Sequence, residues 1–260
     1  MTIELRDTAR LPSGWQPKTD SLSGRVVLIV GAAGALGGAS AKAAAQAGAK
    51  VILLGRKVRP LEKLYDEIEA AYPDAAAIYP LDLLGASPRD YDDLAATIER
   101  EFGRLDGIVF AAAQFDGLQP MLDSKPEAWL KTLHVNLNAP FLLVQACADL
   151  LLREPADGAG ASLVFALDDP ARVGKAFWGG YGVAKHGLIG LVSVLHQEWE
   201  STRVRVHALL PAPMRSALRR AAYFGENTME LPTADGAAQA VVYLLAEEGA
   251  AARGRVLDLR

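Results

Sequence analysis

The chain has 260 residues, 27 of them Lys or Arg and 31 Asp or Glu, for a formal net charge of −4, and 51 % of it is hydrophobic. That balance excludes intrinsic disorder, a disulfide scaffold (Cys147 is the single cysteine) and a nucleic-acid binder that relies on a general basic field. Alanine is in excess, at 46 residues, as suits a helix-rich globule with a large core.

In chain order, residues 1–22 read as an N-terminal arm. They hold Glu4, Asp7, Pro12, Gly14 and Pro17 and lack the basic start and apolar run of a signal peptide. Arms of this kind are mobile unless docked. Residues 23–260 read as one domain. Strand-like apolar runs at 25–30, 50–54, 76–80, 107–111, 162–167, 203–210 and 255–259 alternate with helical spacing at 36–48, 60–72, 88–102, 126–152, 181–200 and 234–247. Pro140 is expected to bend or break the long helical stretch. The alternation predicts an α/β protein with a parallel sheet covered on both faces. No apolar run approaches the ~20 residues of a spanning helix, so a cytoplasmic protein with a reduced Cys147 and no membrane partner is expected.

The first strand runs into Gly31-Ala32-Ala33-Gly34-Ala35-Leu36-Gly37-Gly38. A glycine-rich turn between strand and helix lets backbone approach a pyrophosphate, and the helix N-terminus adds N–H donors and a favourable dipole. The bland alternative is a tight turn with nothing bound. The second strand ends in Gly55-Arg56-Lys57, where a fold preferring NAD usually has an acid for the ribose hydroxyl. Arg56 suits a 2′-phosphate instead, hence NADP(H); otherwise it is a solvated loop charge. Asp82, followed by Leu83, is placed to bond an adenine ring or to cap a turn. Tyr181 and Lys185 stand one helical turn apart, and a cation there stabilises phenolate, making Tyr181 a usable acid or base.

At this point the chain resembles the short-chain dehydrogenase/reductase family, in its bacterial YciK-like branch. The resemblance spans residues 23–259 and is carried by Leu54-Gly55-Arg56, Leu81-Asp82-Leu83-Leu84, Arg104-Leu105-Asp106-Gly107, Val135-Asn136-Leu137-Asn138-Ala139, Trp178-Gly179-Gly180-Tyr181 and Met214-Arg215-Ser216. It implies a Rossmann fold, a doubly wound sheet of seven parallel strands, and hydride transfer between NADP(H) and a small carbonyl or hydroxyl compound. By position, Tyr181 is then the acid/base. Lys185 lowers its pKa and binds the nicotinamide ribose, and Asn136 holds a kinked helix and a proton-relaying water. Gly31, Ala33, Gly34, Leu36, Gly37, Arg56, Asp82, Leu83, Ala111, Ala112, Pro211 and Ser216 complete the cofactor site. Residues 213–233 become a substrate flap, and the helices at 126–152 and 181–200 the pair that builds a homodimer or homotetramer.

The pattern also breaks. The family's serine aligns with Asp168, 13 residues before Tyr181, and no Ser or Thr occurs from 163 to 192. Ala35, Ala111, Ala113 and Ala212 replace Gly or Asn, and alanine does not suit a positive φ. Asp168 has several open roles. It could raise the Tyr181 pKa, pair with Lys185, or donate as a neutral acid. It could also accept from an alcohol or amine, or serve only as a capping turn with Asp169 and Pro170. The competing functional readings are a catalytically impaired protein of this fold that binds NADP(H) or acts as an oligomeric scaffold, and a relic without cofactor. His134, His186, His196 and His207 show no ligand spacing, and no metal is expected. Trp129 and Trp199 are expected to pack, whereas Trp178 could face the substrate. Arg215, Arg219 and Arg220 form a stripe that is either solvated or attracts an acidic substrate.

Overall fold

The computed structural model describes residues 7–153 and 160–260; the start of the arm, with Glu4, lies outside them. Eight parallel strands form one sheet: β1 Thr8–Ala9, β2 Val26–Val30, β3 Lys50–Gly55, β4 Ala76–Pro80, β5 Gly107–Phe110, β6 Ser162–Ala166, β7 Arg205–Leu210 and β8 Val256–Asp258, in the order β1-β8-β7-β6-β5-β2-β3-β4. The helices are α1 Ala35–Gln46, α2 Val58–Ala71, α3 Pro88–Phe102, α4 Pro126–Leu133, α5 Ala139–Ala146, α6 Ala148–Leu152, α7 Pro170–Val173, α8 Gly179–Glu198, α9 Ala217–Ala222 and α10 Asp235–Leu245. Among the described residues no helix is long and apolar enough to cross a membrane.

The central strands read as largely apolar runs because both faces are covered. Leu28, Ile52, Ile108, Leu163 and Val206 enter one core with Leu94 of α3, Leu143 of α5 and Leu188 of α8. Their neighbours Ile29, Val51, Val109, Val164 and Leu209 enter the other, with Ala41 of α1, Leu61 of α2 and Val241 of α10. Phe110 and Phe165 are direct register partners on adjacent strands and stack 4.3 Å apart, in a geometry worth about 0.5–1.5 kcal/mol beyond area burial. Asp106 ties β5 to β2: it accepts from the Val26 N–H (2.8 Å) and holds Arg104 in a two-pronged pair.

Seven strands are expected and eight are found. The additional one is β1, whose Thr8 and Ala9 pair with Val256 and Leu257 of β8. No apolar run marks it; it covers the otherwise open edge of β8. Arg10 donates to the carbonyls of Asp258 (3.0 Å) and Arg260 (2.7 Å), Trp15 meets the Tyr243 ring edge-on, and Leu22 is wholly buried. The described part of the arm is therefore docked.

The stretch 126–152 is not one helix. Between α4 and α5 lies a π-helical turn, His134–Asn138, closed by the Ala139 N–H donating to the His134 carbonyl. Pro140 has no N–H to return to the carbonyl four residues earlier, so the ladder widens there. A second break falls at Cys147, which is wholly buried; burial pushes its thiol up to about 12, leaving a small inert hydrophobe.

His207, on β7, is also wholly buried. Burial first, then the Arg205 cation, hold its imidazole down to about 3, with Arg253 and His196 adding to the effect. The unfolded chain binds this proton below about pH 6.5 while the native chain refuses it. Native stability therefore falls as pH drops from that value toward 3, by up to about 1.4 kcal/mol per pH unit. Urea melts at stepped pH are expected to show this slope, and His207→Leu to flatten it; an equal slope in both chains excludes His207 as its source.

Candidate active site

All strands point the same way, so the loops after β2 to β7 gather at one edge. The strand order reverses between β2 and β5, which opens a crevice there. A cavity of about 740 Å³ fills it. Its walls come from the loops after β2 (Gly31, Ala33, Gly34), β3 (Arg56, Lys57), β4 (Asp82, Leu83), β5 (Ala111, Ala112), β6 (Asp168, Asp169) and β7 (Pro211, Ser216). Leu36, Trp178, Tyr181 and Lys185 join them.

The first loop is a cradle that side chains would fill. Gly31 has φ +86°, and a Cβ on it would stand 2.6 Å from the Ala112 backbone. A Cβ on Gly37 would stand 2.3 Å from the Gly31 carbonyl oxygen. Gly37 is the one expected loop residue off the cavity wall; it serves by letting α1 sit against the turn. Gly34 precedes α1 with φ −85°, so the loop does not need it to replace a left-handed glycine at Ala35. The start of α1 has no side-chain cap and no acid in its first turn, which leaves N–H donors and positive dipole for an anion. Among the described non-glycine residues only Asp74 and Phe177 have positive φ. Ala111, Ala112, Ala113 and Ala212 thus sit without backbone strain.

Arg56 and Lys57 are exposed at the cavity rim. Asp82 lines the wall and accepts from the Leu84 N–H (3.1 Å). Ser216 caps α9, accepting from the Arg219 N–H (3.0 Å). The segment 213–233 closes one side of the cavity and is pinned on itself: the Arg215 guanidinium donates to the Met229 carbonyl (2.7 Å), and Arg219 grips Glu226 (2.6 and 2.7 Å). Of the arginine stripe, Arg219 alone reaches the cavity wall.

At the other end Tyr181 and Lys185, both buried on α8, face the tip of β6. Tyr181 Oη donates to Asp168 Oδ2 at 2.8 Å. Asp168 Oδ1 accepts from the Asp169 N–H (2.7 Å) and from Arg172 on α7. Lys185 Nζ donates to the Ala166 carbonyl (2.8 Å), so Asp168 pairs with Arg172 and not with Lys185. Asp169 fulfils the turn role, accepting from the Ala171 N–H at the start of α7. Burial, then the charge and hydrogen bond of Asp168, push the Tyr181 phenol well above its ordinary value, against the pull of Arg172. Burial lowers Lys185 to about 8, with Asp168 opposing. Asn136 lies behind the wall in the π-helical turn: it donates to the Gln114 and Thr132 carbonyls (both 2.8 Å) and accepts from the Gln114 N–H (3.3 Å), which ties the kinked helix to the loop after β5.

Trp178 does face the cavity. It packs with Phe115 (5.4 Å), Tyr181 (5.9 Å) and Tyr223 (6.3 Å), and the Arg172 guanidinium lies over its ring. Two site residues were not anticipated from the sequence. Arg172 follows Asp168 at i+4, a spacing that signals an ion pair once the acid is singled out. Arg260 reaches the wall and pairs with Asp169 (2.9 Å) through contacts that no local pattern encodes. Among the described residues no three of His, Cys, Asp and Glu gather to hold a metal ion.

Residues 25–226 match the family model for short chain dehydrogenases. An oxidoreductase of Escherichia coli K12, the uncharacterized YciK, is 32 % identical over 94 % of this chain and 95 % of its own length. A short chain dehydrogenase structure from Salmonella enterica serovar Typhi superposes with a TM-score of 0.88 at 31 % identity, covering 94 % of this chain and 99 % of that one. A structure from Escherichia coli CFT073, complexed with NADPH, gives 0.87 at 32 % identity over 93 % and 99 %.

Proposed function

The chain belongs to the short chain dehydrogenase family, and from that membership we propose that it is an NADP(H)-dependent oxidoreductase moving hydride between the nicotinamide and a small carbonyl or hydroxyl compound, with Tyr181 as acid/base. One observation carries the reading: a single cavity joins the glycine cradle and the Arg56–Lys57 rim to the buried Tyr181–Lys185 pair. The NADPH complex of the Escherichia coli CFT073 relative supports the cofactor. Bound NADP(H) supplies the hydride donor or acceptor. The chain's own residues do the rest. The Gly31–Gly34 turn and the start of α1 would hold the pyrophosphate, Arg56 the 2′-phosphate, Asp82 and Leu83 the adenine, Lys185 the nicotinamide ribose, and Pro211 and Ser216 the carboxamide. Ala111 and Ala112 would flank the cofactor.

Arg56→Asp is expected to weaken NADPH binding about 10–100-fold, the value of a lost charge-assisted pair, and NADH by less than about threefold. A fluorescence titration of both cofactors measures it, and equal losses overturn the NADP assignment. Cytoplasmic residence fits the buried lone thiol. The exposed Leu130, Phe141, Val183 and Val194 on α4, α5 and α8 support association as a homodimer or homotetramer.

The second reading, an impaired protein that binds NADP(H) or serves as a scaffold, is favoured by one fact: the Tyr181 hydroxyl is already engaged by Asp168. Turnover by the native chain that is lost with Tyr181 removes that reading.

A further inference from the structure

We propose that Asp168 is the terminal acceptor of the substrate's proton, reached through an uncharged Tyr181, and that the group which reacts is therefore a hydroxyl: the chain is built to oxidise an alcohol. The proposal rests on the oxidoreductase reading above and specifies its direction and substrate class.

The geometry sets the polarity of the site. Tyr181 has one proton, and at 2.8 Å it is given to Asp168 Oδ2. What the phenol presents to the cavity is lone pairs. Asp168, a further acceptor, lines the same wall. Its Oδ1 is occupied by Arg172 and the Asp169 N–H, which fixes the carboxylate and reserves Oδ2 for Tyr181. Arg172 is itself held over the Trp178 and Tyr223 rings (5.6 and 5.8 Å) and acts as a positioning residue. Lys185 is turned to the Ala166 carbonyl. While Asp168 is ionised, a ketone oxygen, an acceptor, meets no hydroxyl donor here; reduction would need Asp168 to carry the proton first. An alcohol donates directly to Tyr181 Oη.

The alcohol O–H proton moves to Tyr181 Oη while the Tyr181 proton moves to Asp168 Oδ2. The carbinol C–H bond breaks, its hydrogen leaving with the electron pair as hydride to the oxidised nicotinamide, and C–O becomes C=O. The alcohol loses two electrons, the nicotinamide gains two, and the proton passes from Asp168 to solvent. The charged and titratable groups facing Asp168 are Arg172 from α7, Tyr181 and Lys185 from α8, Arg219 from α9 and the adjacent Asp169, which is paired to Arg260.

The test uses the native chain, Asp168→Asn, Asp168→Ser and Tyr181→Phe. The probes are cyclohexanol and isopropanol with NADP+, and cyclohexanone and acetone with NADPH. Independently of turnover, Tyr181 ionisation is read in the cofactor-free chains from the ultraviolet tyrosinate difference against Tyr181→Phe. Asp168→Asn is expected to lower alcohol oxidation about 100-fold or more, to leave NADPH affinity within about threefold, and to move Tyr181 ionisation down by about one pH unit or more. Asp168→Ser is expected to restore turnover with a new alkaline inflection where Tyr181 ionises. Oxidation by Asp168→Asn at the native rate, or tyrosinate formation at the same pH in both chains, overturns the proposal alone. Absence of turnover by the native chain with every probe overturns the oxidoreductase reading and this step with it.

Discussion

Tyr181→Phe is expected to lower kcat/KM about 10³-fold for any substrate the native chain turns over, while NADPH binds within about twofold of native affinity. The split follows from what the hydroxyl does. It is buried, and its one hydrogen bond among the described residues is to Asp168, so it contributes the moving proton and little else. The ring itself packs against Phe115 (5.3 Å) and Trp178, and phenylalanine keeps those contacts. Removing the hydroxyl leaves Asp168 Oδ2 without that donor, but the carboxylate retains Arg172 and the Asp169 N–H, so the site does not collapse. Steady-state kinetics beside an NADPH titration decide the matter. A parallel loss of cofactor affinity would mean that the hydroxyl holds the site's shape and not its proton. Unaltered kcat/KM would remove Tyr181 from the chemistry.

Gly37→Ala should be a severely damaging single-methyl change at the cofactor end of the cavity. Its Cβ would stand 2.3 Å from the Gly31 carbonyl oxygen, 2.8 Å from the Gly31 carbonyl carbon and 3.0 Å from the Ala32 Cα. All three are backbone atoms, so no side chain can swing away. Either α1 lifts from the sheet or the turn opens, and both displace the N–H donors that face the cavity. Overpacking of this kind costs about 1–3 kcal/mol, seen as a fall of several degrees in Tm. NADPH affinity is expected to drop at least about tenfold through the displaced turn, on the scale of a single lost charge-assisted hydrogen bond. Gly236→Ala is the control. Nothing stands within 4 Å of its Cβ at the start of α10, and it should remain within about 1 kcal/mol of native. A Gly37→Ala chain that melts and binds NADPH as the native one does would show that α1 does not need this approach.

The strand–helix alternation was legible because a strand buried on both faces is apolar at most of its residues. β2, with all five residues buried, is the clear case. β1 was not, since Thr8 and Ala9 form a strand through the exposed edge of β8, some 250 positions away, and not through any preference of their own. The break in 126–152 was legible at Pro140. The π-helical form of the turn was not, because Pro140 is equally compatible with a bend, a break or a widened turn, and the packing of this turn, with Asn136 tied to the loop after β5, accompanies the last of these. In the site, the glycine turn, Arg56, Tyr181 and Lys185 could be read locally, each being a short pattern at the end of a strand or the start of a helix. Arg172 left a weak local signal and Arg260 none.

Asp168 divides the two kinds of knowledge most sharply. From residue order alone, an acid 13 positions before Tyr181, with no Ser or Thr nearby, followed directly, as did the parallel α/β fold and the glycine cradle, because these depend on side-chain identity, spacing and burial period. Its partner did not follow. The sequence pointed to Lys185 and Tyr181 and not to Arg172, and the choice depends on where α7 lays Arg172 across the Trp178 and Tyr223 rings and on Lys185 finding the Ala166 carbonyl first. Hydrogen bonds are decided by tenths of an ångström and by direction, which only the packing of α7 and α8 against the end of β6 sets.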